Sequence, residues 1–233
     1  MPQGQGQSTL LAGIAIAVIL GDVLSVGVGQ VAVSNLGENI DAFSLATATT
    51  WLANSFTTDN QTYTLNSVTM SLAIGGPTLT KAAPKIYSDS SGVPGSSLEN
   101  YASQDILIDG DFTFTSAGLT LAPNTTYWLV LQHVGFSIGV QWPSTFSDNQ
   151  TGSWTIGDTM RESIDSGSTW PNTYSWTGRF SVDATVAPVP EPQEYLLAMG
   201  VGLIAFAALR HSVDLNLRRS TIVPLDNDRS DHE

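Results

Sequence analysis

Side chains that could do chemistry are sparse in this chain. His133 is the one histidine between residues 30 and 187, and it follows an apolar run, Tyr127 to Leu131. An imidazole works as a base or a metal ligand only when partners orient it, and a lone histidine at a strand end more often serves packing or the surface. No H-E-x-x-H pattern and no phosphate-cradling P-loop occurs. Asp109-Gly110-Asp111 gathers carboxylate oxygens of the kind calcium takes, but without the frame of a calcium-binding loop it reads as a solvated turn. Glu99, Asp105, Asp158, Glu162 and Asp165 could supply the acid and base of a glycosidase. Any acidic chain offers such pairs by chance, so a non-catalytic protein without metal or cofactor is expected.

Tryptophans carry the other chemical option. Trp142, Trp154 and Trp170 lie in turn-rich stretches, beside Pro143, Gly152 and Pro171. An exposed indole can stack its apolar face on the C–H surface of a sugar ring. The competing reading is that these rings plug the ends of the fold under long loops. Trp128 and Trp176 fall within strand patterns and are expected in the core. Asn60-Gln61-Thr62, Asn124-Thr125-Thr126 and Asn149-Gln150-Thr151 match the glycosylation sequon, as an Asn/Thr-rich chain will by chance.

The elements that must position these groups are short and β-like. Tyr63 and Leu65 share one parity and Val68, Met70 and Leu72 the other, so the slip at Asn66-Ser67 predicts a bulge within one strand. A short strand over Pro84 to Tyr87 runs into turn formers from Ser88 to Gly95. Phe112 and Phe114 alternate with threonine, as do Leu119 and Leu121, before a turn at Ala122-Pro123-Asn124-Thr125. Tyr127 to Leu131 is apolar on both parities, which predicts a central strand buried on both faces. Tyr174, Trp176, Phe180, Val182, Ala184 and Val186 share one parity and read as a single last strand bent at Gly178. Repeated short strands without an amphipathic helix predict an all-β fold, an antiparallel jelly-roll-like β-sandwich over residues 30–187.

Both flanks differ from this domain. Leu10 to Leu20 is apolar over the length of a signal-peptide h-region, which makes residues 1–29 an export signal; an anchor helix extending through Val28 and a buried core helix are the alternatives. After the sandwich, Pro188, Pro190 and Pro192 hold the backbone extended. Tyr195 to Leu209 is an uncharged apolar run, expected to be a single C-terminal transmembrane helix of roughly 22 Å, short of a hydrocarbon core of roughly 30 Å. Snorkelling of Arg210 would make up part of the difference. Arg210, Arg218 and Arg219 place that side inward and the sandwich outside, and residues 220–233 form an acidic tail expected to be disordered.

The formal charge of −13 argues against nucleic acid or an anionic membrane surface as partner. With no cysteine there is no disulfide and no thiol nucleophile.

The order Val189-Pro190-Glu191-Pro192, apolar run, Arg210 resembles the PEP-CTERM sorting signal of bacterial exported proteins, here over residues 188–219. The resemblance implies recognition by an exosortase at the Pro-Glu-Pro element and delivery to the cell envelope or extracellular matrix. The preceding domain resembles the choice-of-anchor domain of type R, through Trp51 to Phe56, Tyr63 to Val68, Ile86 to Asp89 with Pro94 to Leu98, and Leu119 to Leu131. That likeness brings no enzymatic activity. Sorting tails stop shortly after their basic cluster, whereas this chain continues to Glu233. Two further readings therefore stay open: a permanently anchored accessory subunit of an inner-membrane complex with a periplasmic sandwich, and a polysaccharide-binding module.

Overall fold

The computed structural model describes residues 29–76, 80–135 and 138–188, together with Leu203, Ile204, Phe206 and Arg210. Strands dominate from the start: β1 (Gln30–Ser34), β2 (Ala42–Ala46), β3 (Trp51–Thr57), β4 (Tyr63–Ile74), β5 (Thr80–Asp89), β6 (Pro94–Asn100), β7 (Gln104–Ile106) and β8 (Gly110–Thr115). The second half adds β9 (Thr120–Leu121), β10 (Thr126–Val134), β11 (Val140–Thr145), β12 (Thr151–Gly152), β13 (Thr155–Ser163), β14 (Asn172–Tyr174), β15 (Thr177–Gly178) and β16 (Phe180–Val186). They form two antiparallel sheets, and the described residues between 29 and 188 contain no helix.

The first sheet runs β12-β1-β16-β4-β11-β15, with β2 on β11 and with β8 and β9 on β4; the second runs β14-β13-β3-β10-β5-β6, with β7 on β5. Leu52, Phe56, Leu65, Val68, Met70, Leu72, Ile86, Leu129, Leu131 and Val182 pack between them with no exposed surface. The fold is a β-sandwich, held chiefly by this apolar burial.

Local chemistry accounts for most strand limits. β4 bulges at Asn66: Ser67 faces Asp183 and Leu65 faces Ala184, so Asn66 has no cross-strand mate on β16. Its amide Nδ2 uses the extra reach to donate to Asp183 Oδ1 and Thr185 Oγ1, each at 2.8 Å. The turn formers after β5 make a hairpin in which Ser90 N–H donates to Val93 O, with Ser91 and Gly92 at φ of 57° and 81°. Two positive φ values in succession give the handedness that closes a two-residue hairpin. β5 is longer than Pro84 to Tyr87 because Pro84 is tolerated within it. Its carbonyl accepts from Tyr101 N–H, away from β10, so the N–H it lacks falls on the outer edge between β7 and β6.

β10 is the central strand expected from its composition. Tyr127, Leu129 and Leu131 enter the core between the sheets. Trp128 and Val130 point the other way, into a second cluster with Trp51, Ala53, Tyr87 and Trp170.

One expected strand is corrected. Residues 172–186 are three strands: β14 pairs with β13 in the second sheet, while β15 pairs with β11 and β16 with β4 and β1 in the first. Tyr174, Trp176, Phe180, Val182 and Ala184 all pack on the core, whereas Val186 at the end of β16 is 38% exposed.

Leu203, Ile204, Phe206 and Arg210 are helical and exposed. Among the described residues no helix is long and apolar enough to cross a membrane. The apolar run Leu10 to Leu20, the element Val189 to Pro192, most of residues 195–209 and the tail 220–233 lie outside the described residues.

Candidate functional site

The three tryptophans considered for sugar stacking are core residues, which corrects that expectation. Trp142 is 0% and Trp154 2% exposed. Trp142 Nε1 donates to Arg179 O, and its ring meets Phe180 at 6.2 Å. Trp154 lies parallel to Phe56 at 5.7 Å and edge-on to Tyr63 at 4.9 Å. Trp170 is buried in the cluster outside the second sheet, beside Trp51 and Trp128. With their rings buried against protein, none of the three can receive a sugar.

Trp176, expected in the core, is only half-buried. Its ring stacks on Tyr174 at 4.6 Å and meets Phe146 at right angles at 5.8 Å, and Phe146 is 57% exposed. Trp176 Nε1 donates to Ser44 Oγ at 3.0 Å. Tyr174 O–H donates to Glu162 Oε2, and Asn172 Nδ2 donates to Glu162 Oε1. Burial first, and then the Glu162 carboxylate, push the Tyr174 phenol above its ordinary pKa.

Two buried amides hold this crossing in place. Asn54, on β3 of the second sheet, accepts from Gly178 N–H at 2.7 Å and donates to Thr159 O at 3.0 Å. Asn35, just past β1, donates to Gly178 O and Thr177 Oγ1 and accepts from Phe180 N–H. Every polar group of both side chains is thereby used, as burial requires. Gly178 has to be glycine: a Cβ there would lie 2.2 Å from Cε2 of Trp142.

Beside the crossing lies a cleft of about 220 Å³, lined by Asn35, Ser147, Asp148, Asn149, Gln150, Thr155, Ile156, Asp158 and Thr177. Its walls come from the segment after β11 and from the start of β13. In β13 the pairing with β3 slips between Ile156 and Met160, leaving Asp158 unpaired on the strand. Gln150 fixes the rim, accepting from Ile156 N–H at 2.7 Å and donating to Trp154 O at 3.4 Å. Among the described residues, Asp148 and Asp158 have no hydrogen-bond or ion-pair partner. Neither the crossing nor the cleft was visible in the sequence, apart from Asn54, a polar residue set among the apolar neighbours of Trp51 to Phe56.

The other candidate carboxylates do structural work. Glu99 accepts from Ser116 Oγ and Ala117 N–H, and Asp105 forms an ion pair with Lys81 at 3.0 Å. Asp165 accepts from Ser163 and Thr169 within its own loop, and Asp109 accepts from Ile74 N–H. Among the described residues no three His, Asp or Glu gather as a metal site. His133 is buried, which lowers its pKa.

Gly135, Phe136, Ser137, Ile138 and Gly139 have the G-x-S-x-G spacing. A nucleophile elbow needs a strand-to-helix turn. Here the stretch links β10 to β11, strand to strand across the two sheets, and Phe136 and Ser137 lie outside the described residues.

No family model and no curated protein matches the chain. Among solved structures, one of infectious bursal disease virus Gx strain is similar at 13% identity with a TM-score of 0.31, covering 72% of this chain and 44% of that chain. The chain thus spans less than half the length of that neighbour, and a likeness this weak carries no argument about fold or function.

Proposed function

We propose that residues 30–187 form a non-catalytic, jelly-roll-like module that is exported and then carried to the cell envelope or extracellular matrix by a PEP-CTERM-like tail. The observation that carries this reading is the sequence Val189-Pro190-Glu191-Pro192, apolar run, Arg210, set directly after the domain. Support comes from where the sandwich stops. β16 ends at Val186, Ala187 N–H makes a last bond to Thr62 O, and Pro188 follows directly. The helical state of Leu203, Ile204, Phe206 and Arg210, with bulky apolar side chains exposed, suits a segment meant for lipid. An exosortase would act at the Pro-Glu-Pro element while residues 195–209 sit in the membrane.

The second reading is a permanently anchored subunit of an inner-membrane complex, favoured by the continuation of the chain from His211 to Glu233. Mass spectrometry of the mature C-terminus separates the two. Loss of everything after the Pro-Glu-Pro element supports sorting, and an intact Glu233 supports anchoring. Cell fractionation that finds only cytosolic protein overturns both.

A further inference from the structure

We infer that the cleft between the segment after β11 and the start of β13 is a subsite for one unit of a neutral saccharide, with Phe146 seating the next unit. Hydroxyl-rich ligands are recognised by carboxylates and amides with spare hydrogen-bonding capacity, and such groups line this cleft. Asp148, Asn149, Thr155 and Asp158 are solvent-exposed, and their side chains make no hydrogen bond or ion pair among the described residues, so all four are open to a ligand from solvent. Asn35, Gln150 and Thr177 supply a rigid floor and rim because their polar atoms are already committed. A carboxylate with all its lone pairs open accepts from two vicinal hydroxyls at once.

Size and charge narrow the ligand. A cleft of about 220 Å³ with two separate carboxylates is a poor cation cage, since calcium needs six to eight oxygens at roughly 2.3–2.6 Å. Among the described residues no three His, Asp or Glu side chains gather into a metal site. No lysine or arginine lines the cleft and the whole chain carries −13, so uronic or sulfated sugars are repelled and neutral ones preferred. Phe146 immediately precedes the cleft residue Ser147 and is more than half exposed, in contact with Trp176. Its contact partner Trp176 likewise immediately precedes a cleft residue, Thr177, and the exposed ring offers the apolar surface that the buried tryptophans cannot. The inference concerns the sandwich alone and holds whether the tail is cut or kept.

Isothermal titration calorimetry on the full chain, in a detergent without sugar headgroups, tests it. Cellohexaose, laminarihexaose and N-acetylchitohexaose serve as neutral probes, with polygalacturonate and calcium chloride as controls. At least one neutral hexasaccharide is expected to bind and polygalacturonate to fail. Asp158→Ala and Asp148→Ala should each weaken that binding tenfold or more. Phe146→Ala should weaken the hexasaccharide but leave the matching monosaccharide unchanged, because only the longer ligand reaches the ring. Near-ultraviolet circular dichroism identical to the parent shows that each variant is folded. Heat with calcium alone, no heat with any neutral probe, or unchanged affinity in folded Asp148→Ala and Asp158→Ala overturns the inference.

Discussion

Replacing Gly178 with alanine places one methyl group where Asn54 of one sheet holds the backbone of the other. The new Cβ would lie 2.2 Å from Cε2 and 2.6 Å from Nε1 of Trp142. Ordinary carbon contacts sit at about 3.5–4.0 Å, so something must move by more than about 1 Å. Trp142 is fully buried and tied through Nε1 to Arg179 O, and residue 178 is pinned by Asn54 on its N–H and Asn35 on its carbonyl. Overpacking of this kind costs about 1–3 kcal/mol, and loosening one buried amide bond adds about 1 kcal/mol, giving about 2–4 kcal/mol in all. Equilibrium urea unfolding followed by tryptophan fluorescence reads the effect. With a slope of about 2 kcal/mol per molar, the midpoint should fall by about 1–2 M. The decisive variant is the pair Gly178→Ala with Trp142→Leu. Trp142→Leu alone costs about 3 kcal/mol through the cavity it leaves, but that cavity accepts the new methyl group. The double variant should therefore be more stable than the sum of the singles by about 1.5 kcal/mol or more. Additivity within about 0.5 kcal/mol would show that the close approach of Gly178 to Trp142 does not set its identity.

Two further outcomes follow from local geometry. Hydrogen bonds from Thr169 N–H and Oγ1, and then from Ser163, hold the Asp165 carboxyl down at about 2, below the ordinary 3.8. A depressed carboxylate stabilises the fold above its unfolded value and loses that contribution as pH falls through the folded one, so the Ser163–Thr169 loop should loosen between pH 3.8 and about 2. Trp170 fluorescence should report this change, and Asp165→Asn should abolish the pH dependence. At the β5–β6 hairpin, Ser91→Asn suits a φ of 57° and should raise the thermal midpoint slightly, whereas Ser91→Val should lower stability by about 1 kcal/mol.

What the amino-acid order determined by itself is whatever rests on neighbours along the chain. Alternation marked β4, and the slip at Asn66 announced its bulge, because a one-residue insertion inverts parity wherever the strand pairs. Apolar residues on both parities marked β10 as central, since a polar side chain on either face would be stranded between packed layers. Turn residues located the hairpin at Ser91-Gly92 for a steric reason that needs no tertiary context. Tertiary structure alone decided which tryptophans meet solvent. Trp142 stands in a turn-rich stretch and Trp176 in a strand pattern, yet Gly178 opens a buried slot for the first, while the crossing between sheets leaves the second half-buried with Tyr174 and Phe146. The cleft was equally hidden, for Asn35, Asp148, Asp158 and Thr177 come from four separate stretches of the chain. Burial depends on what the opposite sheet brings to a face, and strand period says which residues share that face but not what covers it.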